Sequence, residues 1–244
     1  MTKPIRLPMK KKQASLDDDV QAALDWLKRT GTAAIRDAMG PQHDIHVEKA
    51  FGVSMPNIRI LAKKIGTHHK LALALWETGW HEARLLASLI DDPNEVSSLQ
   101  MDSWCKDFDN WAIADAVCID LFDKTPHAWW KLAQWGKSPE PFQKRAAFIL
   151  LSRLAVHDKK ADNAQFINSL ALIERAAEDD RHFVKKSVDT ALRAIGKRNL
   201  LLNEAASTVA QRLALSSEAT QTWIGKEALR ELTSPVLIKR LSEK

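Results

Sequence analysis

The segment Phe142-Gln-Lys-Arg-Ala-Ala-Phe-Ile-Leu-Leu151 recurs, in altered form, as Phe183-Val-Lys-Lys-Ser-Val-Asp-Thr-Ala-Leu192 and Trp223-Ile-Gly-Lys-Glu-Ala-Leu-Arg-Glu-Leu232. Each copy opens on an aromatic residue, carries a base at its fourth position (Arg145, Lys186, Lys226) and ends on leucine. A shorter stretch, Glu82 to Ile90, follows the same pattern loosely. A period near 40 residues is long enough for two helices and their turns, and one such unit cannot bury its apolar face alone. The aromatic residues and leucines are therefore expected in the core between units. The basic positions are expected to fall in a column on one face, spaced to meet a phosphate backbone.

Working outward from these copies, the remaining chain reads as more helices with short, punctuated turns. Among 244 residues there are 8 glycines and no tyrosine, which argues against sheets and their turns. Ser15 with Asp18 starts a first helix that the pattern carries to about Met39, followed by a polar turn from Gly40 to His46. Pro56 and Gly66 bracket a short helix, and Gly79 separates LALALWET from HEARLLASLIDD. Further breaks fall at Asn110, Thr125-Pro126, Gly136 to Pro139, His157 to Asn163, Asp179-Asp180, Gly196 to Asn199, Ser216-Ser217 and Ser234-Pro235. The fold predicted is all-α, a HEAT-like αα-superhelix (solenoid) of about six helix pairs with a concave basic face. Residues 15–244 are expected to form a single domain, and residues 1–14 a basic flexible N-terminal tail.

Charge is strongly segregated. The first twelve residues carry five bases and no acid, which accounts for the whole formal charge of +5. Asp91 to Asp123 then holds nine acids and one base, and Lys124 to Lys160 eight bases and two acids. Arg181 to Arg198 adds six bases against Asp189 alone. Such separation suits a polyanionic partner better than the modest net charge suggests. No apolar run approaches the roughly 18 residues of a membrane span, and the N-terminus lacks the apolar stretch of a signal peptide. Cys105 and Cys118 match neither a metal motif nor a disulfide framework, so a cytoplasmic protein without a membrane partner is expected. His43 with His46, and His68-His69, lack a second ligand group nearby in sequence, so no metal is expected. Without a glycine-rich phosphate loop there is no sign of a nucleotide cofactor. Trp129, Trp130 and Trp135 follow Pro126 in a helical pattern and are expected to pack against the next unit.

The segment WCKDFDNWAIADAVCIDLF, Trp104 to Phe122, contains a different kind of signal. Trp111 and Asp115 are four apart, so on a helix they lie one turn apart on one face. An indole attracts a cation and a carboxylate stabilises positive charge developing on a sugar, which suits loss of a cationic leaving group from an anomeric carbon. A core tryptophan beside an exposed aspartate has the same spacing.

FGVSMPNIRILAKKIG, LWETGWHEARLLASLIDDP, MDSWCKDFDNWAIADAVC, FQKRAAFILLSRLAVHDK and DDRHFVKKSVDTALRAIGKRN together resemble the DNA alkylation repair proteins, the HEAT-like-repeat alkylpurine DNA glycosylases, from about Trp26 to Leu232. The resemblance implies a C-shaped superhelix around duplex DNA. It also implies hydrolysis of the N-glycosidic bond of N3- or N7-alkylated purines without a base-flipping pocket. It implies catalytic roles for Trp111 and Asp115 and a DNA-backbone contact for Arg145. Lys185, Lys186 and Lys226 extend the DNA-binding set, and the protein would act as a monomer without a cofactor. Two positions depart from the family pattern. Thr190 stands where a second aromatic wall is usual, and Ala112 where an acid is usual. The alternative to an enzyme is thus a catalytically degenerate repeat protein that binds DNA or a protein partner.

Overall fold

The computed structural model describes residues 15–243, and every regular element among them is helical. The basic segment 1–14 lies outside the described residues. The helices are α1 (Leu16–Thr30), α2 (Ala33–His43), α3 (Met55–Ile65), α4 (His69–Glu77), α5 (His81–Ile90), α6 (Ser98–Lys106) and α7 (Trp111–Asp120). After a short 3-10 turn follow α8 (Ala128–Trp135), α9 (Pro141–His157), α10 (Asn163–Ala176), α11 (His182–Gly196), α12 (Leu200–Ala214), α13 (Ala219–Leu232) and α14 (Pro235–Ser242). None of these is long and apolar enough to cross a membrane.

The repeated segment supplies α9, α11 and α13. They stand side by side in one layer that continues through α7 to α5. Helices α4, α8, α10 and α12 cover that layer from behind, each against its own partner in the pair. This is the stacking of a HEAT-like solenoid, and the leucines that close the three copies, Leu151, Leu192 and Leu232, are fully buried. The apolar core runs unbroken from Ala23 to Leu241. The opening aromatics sit less deeply than predicted: Phe142, Phe183 and Trp223 are half-buried within the first two turns of their helices.

Polar staples join the pairs. Asp91, at the end of α5, accepts from His69 (2.6 Å) and from Gln100 (2.7 Å). Asp158, at the end of α9, accepts from the Trp129 indole at 3.0 Å, and Asp102 from that of Trp135 at 3.0 Å. Trp129 and Trp135 therefore pack between units as expected, whereas Trp130 is 59% exposed. Trp130 instead lies beside the buried Lys131 ammonium, 4.4 Å from its ring centroid. Each histidine of the two weighed pairs has a role of its own or lies at the surface. His68 caps α4, His69 pairs with Asp91, His46 pairs with Asp44, and His43 is exposed. Among the described residues no three potential ligand groups gather as a metal cluster would require.

The first helix departs from its expected length. It ends at Thr30, and a second helix begins at Ala33 with Thr32 as its cap. The cause lies some twenty residues away. At Gly31 a β-carbon would stand 2.3 Å from the Phe51 carbonyl oxygen, and at Gly52, with φ of +80°, one would stand 2.2 Å from that of Thr32. Two backbone segments cross there at a distance only glycine permits. The expected polar turn is also later, because α2 runs through Pro41 to His43 before Asp44 turns left-handed at φ of 54°.

Candidate functional site

Helix α7 begins where Asn110, itself buried, accepts a hydrogen bond from the Ile113 amide at 3.1 Å. Ile113, Ala114, Val117 and Cys118 face the core. Trp111, Ala112, Asp115 and Ala116 are left half-buried on the outer side. The two residues singled out by spacing therefore do share a face one turn apart. The Trp111 indole donates to the carbonyl of His43 at 2.9 Å, which fixes its ring against the end of α2.

Asp115 is engaged on both oxygens. Arg145, from α9, donates Nε and Nη2 to them at 2.7 Å each, and its Nη1 donates to the Phe183 carbonyl of α11 at 2.7 Å. One guanidinium thus ties three successive helices of the layer. It also stands 5.8 Å from the Trp111 ring centroid and 5.9 Å from that of Phe183, within reach of both aromatic faces. Burial pushes the Asp115 carboxyl above its ordinary pKa, opposed by the guanidinium. A bidentate pair of this geometry fixes the carboxylate in place.

The basic column is divided. Arg145 is buried at 8% exposure, while Lys186 and Lys226 are exposed and Lys185 is half-buried. The reason is the neighbour: Arg145 has a carboxylate one helix back, and the lysines have none within pairing distance. Lys185 and Lys186 instead use the next aromatic. The ammonium groups of Lys185 and Lys186 lie 4.9 and 4.5 Å from the Trp223 centroid, as Arg145 lies over Phe183. In the first two copies the base is thus set against the following copy's aromatic residue, a register visible in the sequence only as the repeat itself.

The departures have clear local consequences. Thr190 donates its hydroxyl to the Lys186 carbonyl at 2.8 Å and presents no aromatic surface. Ala112 lines an apolar cavity between α2 and α7 that sequence patterns did not reveal. Cys118 and Cys105 contribute no nucleophile here, since both are buried and burial raises their thiol pKa.

No curated protein matches the chain in sequence. A solved structure is similar in fold, with a TM-score of 0.73, 19% identity, and coverage of 87% of this chain and 95% of the other. It is described as a new family of proteins related to the HEAT-like repeat DNA glycosylases with affinity for branched DNA structures. The family model for DNA alkylation repair enzyme matches residues 20–232. This chain belongs to the DNA alkylation repair enzyme family.

Proposed function

We propose that the protein is a DNA glycosylase that binds duplex DNA and removes purines alkylated at N3 or N7. The observation that carries this reading is the cluster of Trp111, Asp115 and Arg145 on the outer side of α7 and α9. An N-alkylated purine is already cationic, so its glycosidic bond breaks without protonation by a general acid. The bond electrons leave with the base, the deoxyribose becomes oxocarbenium-like, and water adds at the anomeric carbon and loses its proton to solvent. One carboxylate can stabilise that sugar, whereas ordinary glycoside hydrolysis uses two. Asp115 takes this role when Arg145 gives up one of its oxygens. A DNA phosphate near the guanidinium supplies the competing anion, so substrate binding itself frees the catalytic group. Trp111 offers a face to the cationic base and holds the sugar beside the carboxylate.

Lys185, Lys186 and Lys226 contact phosphates along the same layer. Replacing Lys186 and Lys226 together with alanine is expected to weaken duplex binding without regard to sequence, and to lower the salt slope by about 1 for each lost contact. Titrations of labelled duplex at several salt concentrations measure this. An unchanged slope removes these lysines from the interface.

A second reading, binding without excision, is favoured by Thr190 and by the affinity for branched DNA of the structural neighbour. The two readings separate in one assay: release of 7-methylguanine and 3-methyladenine from methylated duplex by the wild type and by Asp115→Asn. Release by the wild type supports the glycosylase, and its loss in Asp115→Asn shows that excision needs the intact Asp115–Arg145 pair. Salt-sensitive binding with no release from either protein supports the second reading.

A further inference from the structure

We propose that the cavity between α2 and α7 is a subsite for a single unpaired nucleobase, distinct from the Asp115–Arg145 pair. The inference rests on the DNA-binding reading and specifies which DNA the protein grips best. The cavity measures 680 Å³, within the range of roughly 300–1,000 Å³ usual for small-molecule sites. Its walls are apolar, with Met39 and Ala38 of α2 facing Ala112, Ala116 and Ile119 of α7, and Trp111 at one side. A flat heterocycle fits such a slot and stacks on the indole.

Hydrogen-bonding groups occur where a base edge needs them. Arg59 and Asp120 line the cavity as a pair, Nη2 to Oδ1 at 3.3 Å, offering donors and an acceptor side by side. His81 lines it too, as it does the neighbouring 640 Å³ cavity, and the residue is buried at 7% exposure with Nδ1 lacking any partner. An unpartnered buried ring nitrogen is costly unless a ligand completes it. A base still stacked in a duplex cannot enter beneath α2, so the occupant is one already outside the stack, as at a bulge or branch point.

The roof is suited to admit it. Residues 33–37 of α2 are exposed, and of the whole helix only Met39 is buried. The segment is clasped at its base, where the Thr32 amide donates to the Gly52 carbonyl at 2.9 Å. It is held down at the far side by the Trp111 bond to His43 and by the His81 amide bond to Lys49, at 2.9 Å each. Residues 45–50 between those fastenings border two more cavities, of 640 and 300 Å³.

The test uses the full protein and two oligonucleotides, a perfect duplex and the same duplex with one bulged 2-aminopurine. Binding is read by anisotropy and insertion by quenching of the 2-aminopurine. The wild type is expected to quench the bulged base and to prefer the bulged DNA by on the order of tenfold, the size of one stacking contact. Ala116→Phe and Ala38→Phe fill the cavity from opposite sides, and each is expected to abolish both effects while perfect-duplex affinity is kept. Tight binding without quenching overturns the subsite and leaves the DNA reading standing. Equal quenching by the filled variants also overturns it. Binding of neither DNA overturns both readings. Dye fluorescence of anilinonaphthalene sulfonate that decanoate displaces and bulged DNA does not overturns the subsite in favour of an aliphatic ligand.

Discussion

Arg145→Ala is expected to destabilise the folded protein by about 3–5 kcal/mol, the usual cost of removing one partner from a buried ion pair. The arginine side chain is 9% exposed and that of Asp115 19%, so solvent cannot replace the lost donors. Three bonds disappear together, two to Asp115 and one to the Phe183 carbonyl. These join α7, α9 and α11, so the loss weakens two helix contacts in succession. For a chain of this size the melting temperature should fall by on the order of 10 °C. Arg145→Lys should recover only part of this, because an ammonium cannot bond both carboxylate oxygens in a planar fork while reaching the carbonyl. Thermal unfolding of the three proteins measures the effect. A melting temperature unchanged by Arg145→Ala contradicts the buried pair.

This structural duty of Arg145 was not legible in the sequence, and the reason is distance along the chain. Asp115 and Arg145 are thirty residues apart, and a repeat alignment compares Arg145 with Lys186 and Lys226 instead of with its partner. The alignment did capture the buried leucines, while helix punctuation marked the limits at Gly66, Gly79 and Asn110, and four-residue spacing the shared face of Trp111 and Asp115. These depend on local periodicity and caps, which a few neighbouring residues determine. The break between α1 and α2 depends on Phe51 and Gly52 crossing Gly31 and Thr32, and no local signal at residue 31 distinguishes it from a tolerated helical glycine. The cavity is likewise a product of two helices meeting, with Ala112 and Ala116 as its floor, and alanines on a helix carry no mark of what lies opposite.

Because Asp115 serves both fold and proposed chemistry, a single substitution cannot separate the two. Asp115→Asn keeps the shape but removes the charge, leaving the Arg145 guanidinium buried without a counterion, so lost excision could reflect lost structure. The double variant Asp115→Leu with Arg145→Met resolves this. Replacing a whole buried ion pair by apolar side chains of similar volume is often neutral or stabilising, in contrast to removing one partner. Here the Phe183 carbonyl still loses its donor. The double variant is therefore expected to regain most, though not all, of the stability that Arg145→Ala loses. Its excision of 7-methylguanine should nonetheless remain at background. Removing a single group that stabilises transition-state charge costs on the order of 10²–10³ in rate. Duplex binding through Lys186 and Lys226 should persist, with the same salt slope as the wild type. A well-folded double variant that still releases the alkylated base removes Asp115 from the chemistry and assigns the pair to the scaffold alone. One that folds and binds but cannot excise places the carboxylate at the reacting sugar, because by then neither stability nor affinity can account for the loss.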